Sequence, residues 1–102
     1  MQIIIKTTNI NLSPSIKEYI EKRIGTLRKF LKRIDPEVVK IEVEVGKPSR
    51  HHRKGNVYYA EANISLPKKL LRAESQSWDL HLAIDEVREN LIRQIERYKE
   101  KK

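Results

Sequence analysis

Two stretches of strict alternation constrain this chain more than anything else in it. Val39, Ile41, Val43 and Val45 alternate with Lys40, Glu42 and Glu44. Tyr58, Ala60, Ala62, Ile64 and Leu66 alternate with Tyr59, Glu61, Asn63 and Ser65. Successive side chains of a strand point to opposite faces, so both segments predict strands of a sheet with one dry face and one wet face. At the start of the chain, Ile3, Ile5 and Thr7 against Gln2, Ile4 and Lys6 predict another strand with one face better buried than the other. After the turn Pro67-Lys68-Lys69, Leu70 to Ser75 predicts a fourth strand.

The remaining segments have helical periods. Ser13-Pro14 supplies a capping hydroxyl and a proline suited to the first helical position. Ile16, Ile20, Ile24, Leu27 and Leu31 follow as an apolar stripe, widened by Tyr19 and Phe30. Asp35-Pro36 is expected to end that helix, because proline disfavours helical geometry in the residue before it. Ser77 or Asp79 can cap a last helix with the stripe Ile84, Val87, Leu91, Ile95 and Tyr98. The order β-α-β-β-β-α implies an α+β fold, a four-stranded mixed sheet with both helices packed on one face. A helical crossover makes the first two strands parallel, and hairpins make the later pairs antiparallel. With 102 residues, no internal repeat and no linker-like segment, residues 1–102 read as a single domain.

Charge points to the partner. Lys and Arg total 22 against 14 Asp and Glu, a net charge of +8, which favours a polyanion through counterion release. The excess is clustered. Lys22, Arg23, Arg28, Lys29, Lys32 and Arg33 lie between Glu21 and Asp35 with no acid among them. Lys47, Arg50, Arg53 and Lys54 lie in the loop from Gly46 to Asn56, again without an acid. Arg93, Arg97 and Lys101 recur every four residues in the last helix, away from its apolar stripe. That helix can also be read as a solvated face with Glu89 and Arg93 paired, but the acid-free clusters fit such a reading poorly. Gly25, opposite the first stripe and beside Arg28, Lys29 and Lys32, is either a tolerated surface glycine or a place where a nucleic-acid backbone comes close.

Other functions find no support in the residues. There is no cysteine, so no disulfide and no thiolate metal site. The histidines are His51, His52 and His81, and no HxxxH or HExxH spacing pairs them on a helix. Three glycines, Gly25, Gly46 and Gly55, make no phosphate loop, and no serine sits in a GxSxG turn. Glu42 and Glu44 share a strand face but read as its outward positions. No enzyme activity, no cofactor and no small-molecule substrate are expected. The apolar run Ile3-Ile4-Ile5 is too short for a signal peptide, and no segment approaches the roughly 20 apolar residues of a membrane span. A cytoplasmic protein without a membrane partner is the expectation.

Asp79-Leu80-His81-Leu82-Ala83-Ile84-Asp85, followed by Leu91-Ile92-Arg93-Gln94-Ile95 and Tyr98-Lys99, resembles the C-terminal helix of the ribosome hibernation promoting factor family, which includes the ribosome-associated inhibitor A proteins. The most specific part is Ala83-Ile84-Asp85 with Arg93-Gln94 at that spacing. Leu12-Ser13-Pro14-Ser15-Ile16-Lys17 is similar to the family's first helix start, and Arg23 and Leu27 fall where a basic residue and a leucine are usual. Trp78 and His81 depart from the pattern, standing where a small or polar residue and a tyrosine are frequent. The resemblance covers essentially the whole chain. It implies a fold similar to double-stranded RNA-binding domains and a protein that binds the small ribosomal subunit and its rRNA in the mRNA and tRNA channel. Such proteins silence idle ribosomes, and some promote their pairing. Long members carry a second domain, so a chain ending at Lys102 looks like a short form, or a fragment.

On that reading Lys17, Arg23, Lys29, Arg93 and Lys99 are the leading RNA contacts, followed by Arg28, Arg53, Lys54, Arg88 and Arg97. The stretch Ser49-Arg50-His51-His52-Arg53-Lys54-Gly55 becomes a hairpin tip whose cations meet phosphates, the alternative being a solvated loop that touches nothing. A monomer is expected off the ribosome. Two other readings remain: a free-standing double-stranded RNA binder, and a protein-interaction modulator using the sheet face around Tyr59, Glu61 and Asn63.

Overall fold

The computed structural model describes residues 1–48 and 57–100. Strand β1 (Gln2–Thr8) leads to helix α1 (Pro14–Gly25), a 3-10 segment (Thr26–Phe30) and a short 3-10 turn (Pro36–Val38). Strands β2 (Lys40–Gly46), β3 (Tyr58–Leu66) and β4 (Lys69–Ser77) follow, then helix α2 (Leu80–Glu100). The sheet order is β1-β2-β3-β4, with β1 and β2 parallel and the other two pairs antiparallel. This is the α+β arrangement expected, with the topology likened above to double-stranded RNA-binding domains.

The two alternating strands behave as the pattern demands. Ile41, Val43 and Val45 of β2 and Ala60, Ala62, Ile64 and Leu66 of β3 are buried, and Leu71 and Ala73 continue the dry face into β4. Against them pack Ile20 and Ile24 of α1, Leu27 and Leu31 beyond it, and Leu80, Ala83, Ile84, Val87, Leu91 and Ile95 of α2. β1 differs from expectation. Ile3, Ile4 and Ile5 are all half-buried, because β1 is an edge strand that α1 covers only lightly.

The first helix also ends sooner than expected. Ser13 caps it, its Oγ accepting the Ile16 amide at 3.2 Å with Pro14 at the first position. The α-helix stops at Gly25 rather than at Asp35, and the chain tightens into 3-10 geometry. Glycine is a poor residue with which to extend a helix, and the Thr26 hydroxyl turns back to the Arg23 carbonyl. The apolar positions keep their role: Leu27 and Leu31 still reach the core through the tighter turn. At α2 the capping choice falls on Asp79, whose carboxylate accepts the His81 amide at 2.9 Å.

The outward sheet face carries a small polar network. The Glu44 carboxylate accepts hydrogen bonds from the Tyr59 hydroxyl and from the Thr8 hydroxyl. The Tyr59 bond, then the Thr8 bond, hold the Glu44 carboxyl below its ordinary pKa, with Lys6 and Arg72 adding to the effect and burial opposing it. A carboxyl depressed on folding stabilises the fold above its unfolded pKa, and that contribution is lost as pH falls through the folded value. Glu44→Gln should therefore cost about 1 kcal/mol at neutral pH. The gap between variant and parent should close as urea titrations move to acid; a gap that stays constant down to low pH would refute the assignment.

Candidate nucleic-acid interface

Helices α1 and α2 lie side by side and run in the same direction, because contacts between them advance together along both. Tyr19 meets His81 edge-on, with ring centroids 4.5 Å apart, and its hydroxyl donates to Asp85 at 2.8 Å. One turn on, the Arg23 Nε donates to the same carboxylate at 3.0 Å. Further along, the Arg88 Nε donates to the Thr26 hydroxyl at 2.7 Å. Burial, then the bond to Asp85, push the Tyr19 phenol pKa up. Asp85 thus clamps the two helices through Tyr19 and Arg23. The sequence marked Asp85 only as part of a motif; its role as organiser depends on a side-by-side placement that periodicity does not show.

That parallel arrangement brings cations to one end of the molecule. β1, β2 and β4 all run toward the end where both helices begin, so the helices finish at the opposite end. There the 3-10 segment presents Arg28 and Lys29, and α2, about 31 Å long at 1.5 Å per residue, carries Arg93, Arg97 and Lys99 toward the same end. The β3–β4 turn lies there too and adds Lys68 and Lys69, which with Arg97 and Tyr98 line a depression floored by Leu71. A second depression is lined by Lys22, Gly25, Thr26, Arg28, Lys29 and Lys32, with Glu21 as its one acid. Lys17, Arg28, Lys29, Arg93, Arg97 and Lys99 make no ion pair among the described residues. Their charges are not neutralised from within this part of the chain.

Two of the expected contacts are tied into the fold. Arg23 is held by Asp85 with its side chain 37% exposed. Arg88 is engaged by Thr26 and by Glu89 at 2.6 Å, with 15% of its side chain exposed. Glu89 thus pairs with Arg88 rather than with Arg93, and Arg93 is left open. Arg53 and Lys54, with His51 and His52, lie outside the described residues. The base of their loop is placed: the Asn9 Nδ2 donates to the Lys47 carbonyl, and the Lys47 ammonium sits 5.2 Å from the Tyr58 ring centre. It lies at the end where the helices begin, away from the lysines and arginines at their far end. Sequence reasoning passed over Lys32, Lys68 and Lys69 as contacts. The acid-free run after Glu21 was the available signal for Lys32, whereas Lys68 and Lys69 read only as turn residues.

Gly25 can be tested directly. A Cβ built there meets nothing within 4 Å, and its φ of −59° is ordinary helical geometry. Gly25→Ala should raise stability by about 1 kcal/mol. A gain together with weaker RNA binding would place the glycine in the interface, and a gain alone would make it a plain surface residue. Loss of stability would contradict the local geometry. Among the described residues no helix is long and apolar enough to cross a membrane, and no group of three or more His, Asp or Glu is arranged to hold a metal ion.

The family model described as Sigma 54 modulation protein / S30EA ribosomal protein matches residues 3–102. The chain is 32% identical over 97 residues to the Ribosome hibernation promotion factor of Lactococcus lactis subsp. cremoris, covering 93% of this chain and 48% of that protein. It is 30% identical over 91 residues to the protein of the same name from Staphylococcus aureus, covering 89% of this chain and 44% of that one. The chain spans about half the length of the curated relatives it matches. Among solved structures, the N-terminal domain of Protein Y from Thermus thermophilus aligns with a TM-score of 0.77 at 25% identity, over 96% of this chain and 99% of that one. A ribosomal subunit interface protein from Coxiella burnetii shares the fold, with a TM-score of 0.75 at 22% identity over 97% of this chain and 98% of that one.

Proposed function

Because the chain belongs to the Sigma 54 modulation protein / S30EA ribosomal protein family, we propose that it is a ribosome hibernation domain. It binds the small ribosomal subunit in the mRNA and tRNA channel, silences translation and stabilises idle ribosomes in the cytoplasm. The observation that carries this reading is the cationic end formed by Arg28 and Lys29 beyond α1, Lys68 and Lys69 at the β3–β4 turn, and Arg93, Arg97 and Lys99 on α2. These side chains hold phosphates of folded rRNA, and most of their affinity is independent of sequence. Specificity then comes from the shape of the channel into which a rigid two-helix wedge fits. Asp85 and Arg88 hold the wedge in register, and Arg23 joins the contacts through the exposed part of its guanidinium. The domain acts by occupancy, as a monomer, with no chemistry and no cofactor.

A competition experiment separates this from a generic duplex binder. The domain should bind isolated small subunits, compete with transfer RNA for them, and bind large subunits and free RNA duplexes far more weakly. Equal affinity for a duplex of about 16 base pairs, the span of a double-stranded RNA-binding domain, would favour a free-standing duplex-binding module instead.

A further inference from the structure

The turn between β3 and β4 carries a residue that its backbone does not favour. Leu66 pairs with Lys69, so Pro67 and Lys68 are the two central residues of the turn. Proline fixes a negative φ at the first of them, and Lys68 has a φ of 62°. That combination is a type II turn, whose second central position suits glycine or asparagine, because an L side chain crowds the backbone there. The other non-glycine residue with positive φ among the described residues is Asn9, of a type that tolerates it. Helix α2 holds the turn in this form. The Tyr98 hydroxyl donates to the Pro67 carbonyl at 3.2 Å. Flipping that peptide to the type I form, in which Lys68 would have an ordinary negative φ, breaks the bond. A strained position of this kind points from the backbone to a role for the side chain it carries.

Lys68 lines the depression at the cationic end, together with Lys69, Arg97, Pro67 and Tyr98, over Leu71 as its floor. The depression has a volume of about 550 Å³, and no acid lines it. Lys68, Lys69 and Arg97 make no ion pair among the described residues, so the positive charge at the rim is uncompensated there. Open cations alone would suit any phosphate. The leucine floor and the proline and tyrosine walls add apolar and aromatic surface, which a phosphate does not use and a planar base does. The volume is that of a small-molecule pocket rather than of a flat phosphate-binding face. We propose that this depression is a nucleotide subsite that takes one unpaired base of RNA. The base lies against Leu71, Pro67 and Tyr98, and its flanking phosphates meet Lys68, Lys69 and Arg97. The strained turn puts a cation at the rim where glycine would put none. This inference deepens the ribosome reading and rests on it: it names an unpaired nucleotide, rather than duplex backbone, as what this part of the cationic end holds. A base inside a duplex is stacked and paired and cannot enter.

The whole chain is titrated at low salt with pentaadenylate RNA and with a pentamer of abasic ribose phosphates of the same charge, following amide shifts by nuclear magnetic resonance. Pentaadenylate is expected to bind about fivefold more tightly or better, with its largest shifts at Lys68, Leu71 and Tyr98. Lys68→Gly separates the turn from the site. It relieves the backbone and removes the cation, so it should melt about 4 °C higher. It should also bind pentaadenylate about threefold more weakly and flatten the slope of log K against log salt by about 0.7. The proposal is overturned if neither pentamer binds, if the abasic pentamer binds equally well, if an RNA duplex gives the same shifts at Leu71 and Tyr98, or if Lys68→Gly gains stability with no change in binding or in salt slope. Small-subunit binding by the unaltered chain, measured in parallel, keeps the two readings apart. Subunit binding with no preference between the pentamers overturns the subsite alone. Base-dependent pentamer binding without subunit binding overturns the ribosome reading alone.

Discussion

Reversing Arg93 and Lys99 to glutamate is expected to lower affinity for the small subunit on the order of 100-fold near physiological salt, with the fold intact. Both side chains are exposed on the second half of α2: Arg93 lies opposite the buried Leu91 and Ile95, and Lys99 lies one turn beyond Ile95. Neither makes an ion pair among the described residues, so little internal energy is lost on reversal and stability should change by less than about 0.5 kcal/mol. Each phosphate contact contributes nearly one unit to the slope of log K against log salt, so the double variant should flatten that slope by about 2. Unchanged binding at low and moderate salt would remove this part of α2 from the interface. A collapse in stability would show that the residues were part of the scaffold.

Gly46→Ala should have the largest effect on the fold itself. Gly46 pairs with Thr8 at the end of the parallel β1–β2 ladder. A Cβ there would sit 2.1 Å from the Thr8 carbonyl oxygen and 3.0 Å from its carbon. Those are backbone atoms, and the same carbonyl accepts the Lys47 amide at 3.1 Å, so β1 cannot yield without losing that bond. The expected cost is roughly 3 kcal/mol. For a domain of this size that lowers the melting temperature by roughly 15 °C. The folded fraction should still bind ribosomes, because the cationic end lies at the other end of the sheet. A loss below about 1 kcal/mol would mean that β1 can shift, and that the tight approach is not needed.

The strands were legible because period-two alternation is a local signal, and burial follows it nearly residue by residue through β2 and β3. α2 was legible for the same reason, from Ile84 to Ile95. The end of α1 was not. The stripe runs on through Leu27 and Leu31 because those side chains do reach the core, so periodicity alone could not show that the backbone had tightened to 3-10 at Thr26. The candidate interface was half legible. The cations of the acid-free segment and of α2 are visible in the sequence, but their convergence is not, because it depends on the helices running parallel. Nor could it separate open cations such as Arg93 from Arg88, whose partners Thr26 and Glu89 come from a tertiary contact and a neighbour on the next helical position. Gly46 gave no warning either, since what excludes a side chain there is a backbone atom 38 residues earlier in the chain.

On the proposed reading, a rigid cationic end occupies the mRNA and tRNA channel of the small subunit. Co-sedimentation with separated ribosomal subunits across a salt series tests it most directly. The expected result is binding to the small subunit alone, exclusion of transfer RNA, and affinity that falls steeply and linearly in log–log form as salt rises. Absence of small-subunit binding even at low salt, or binding to both subunits with no effect on transfer RNA, would contradict it.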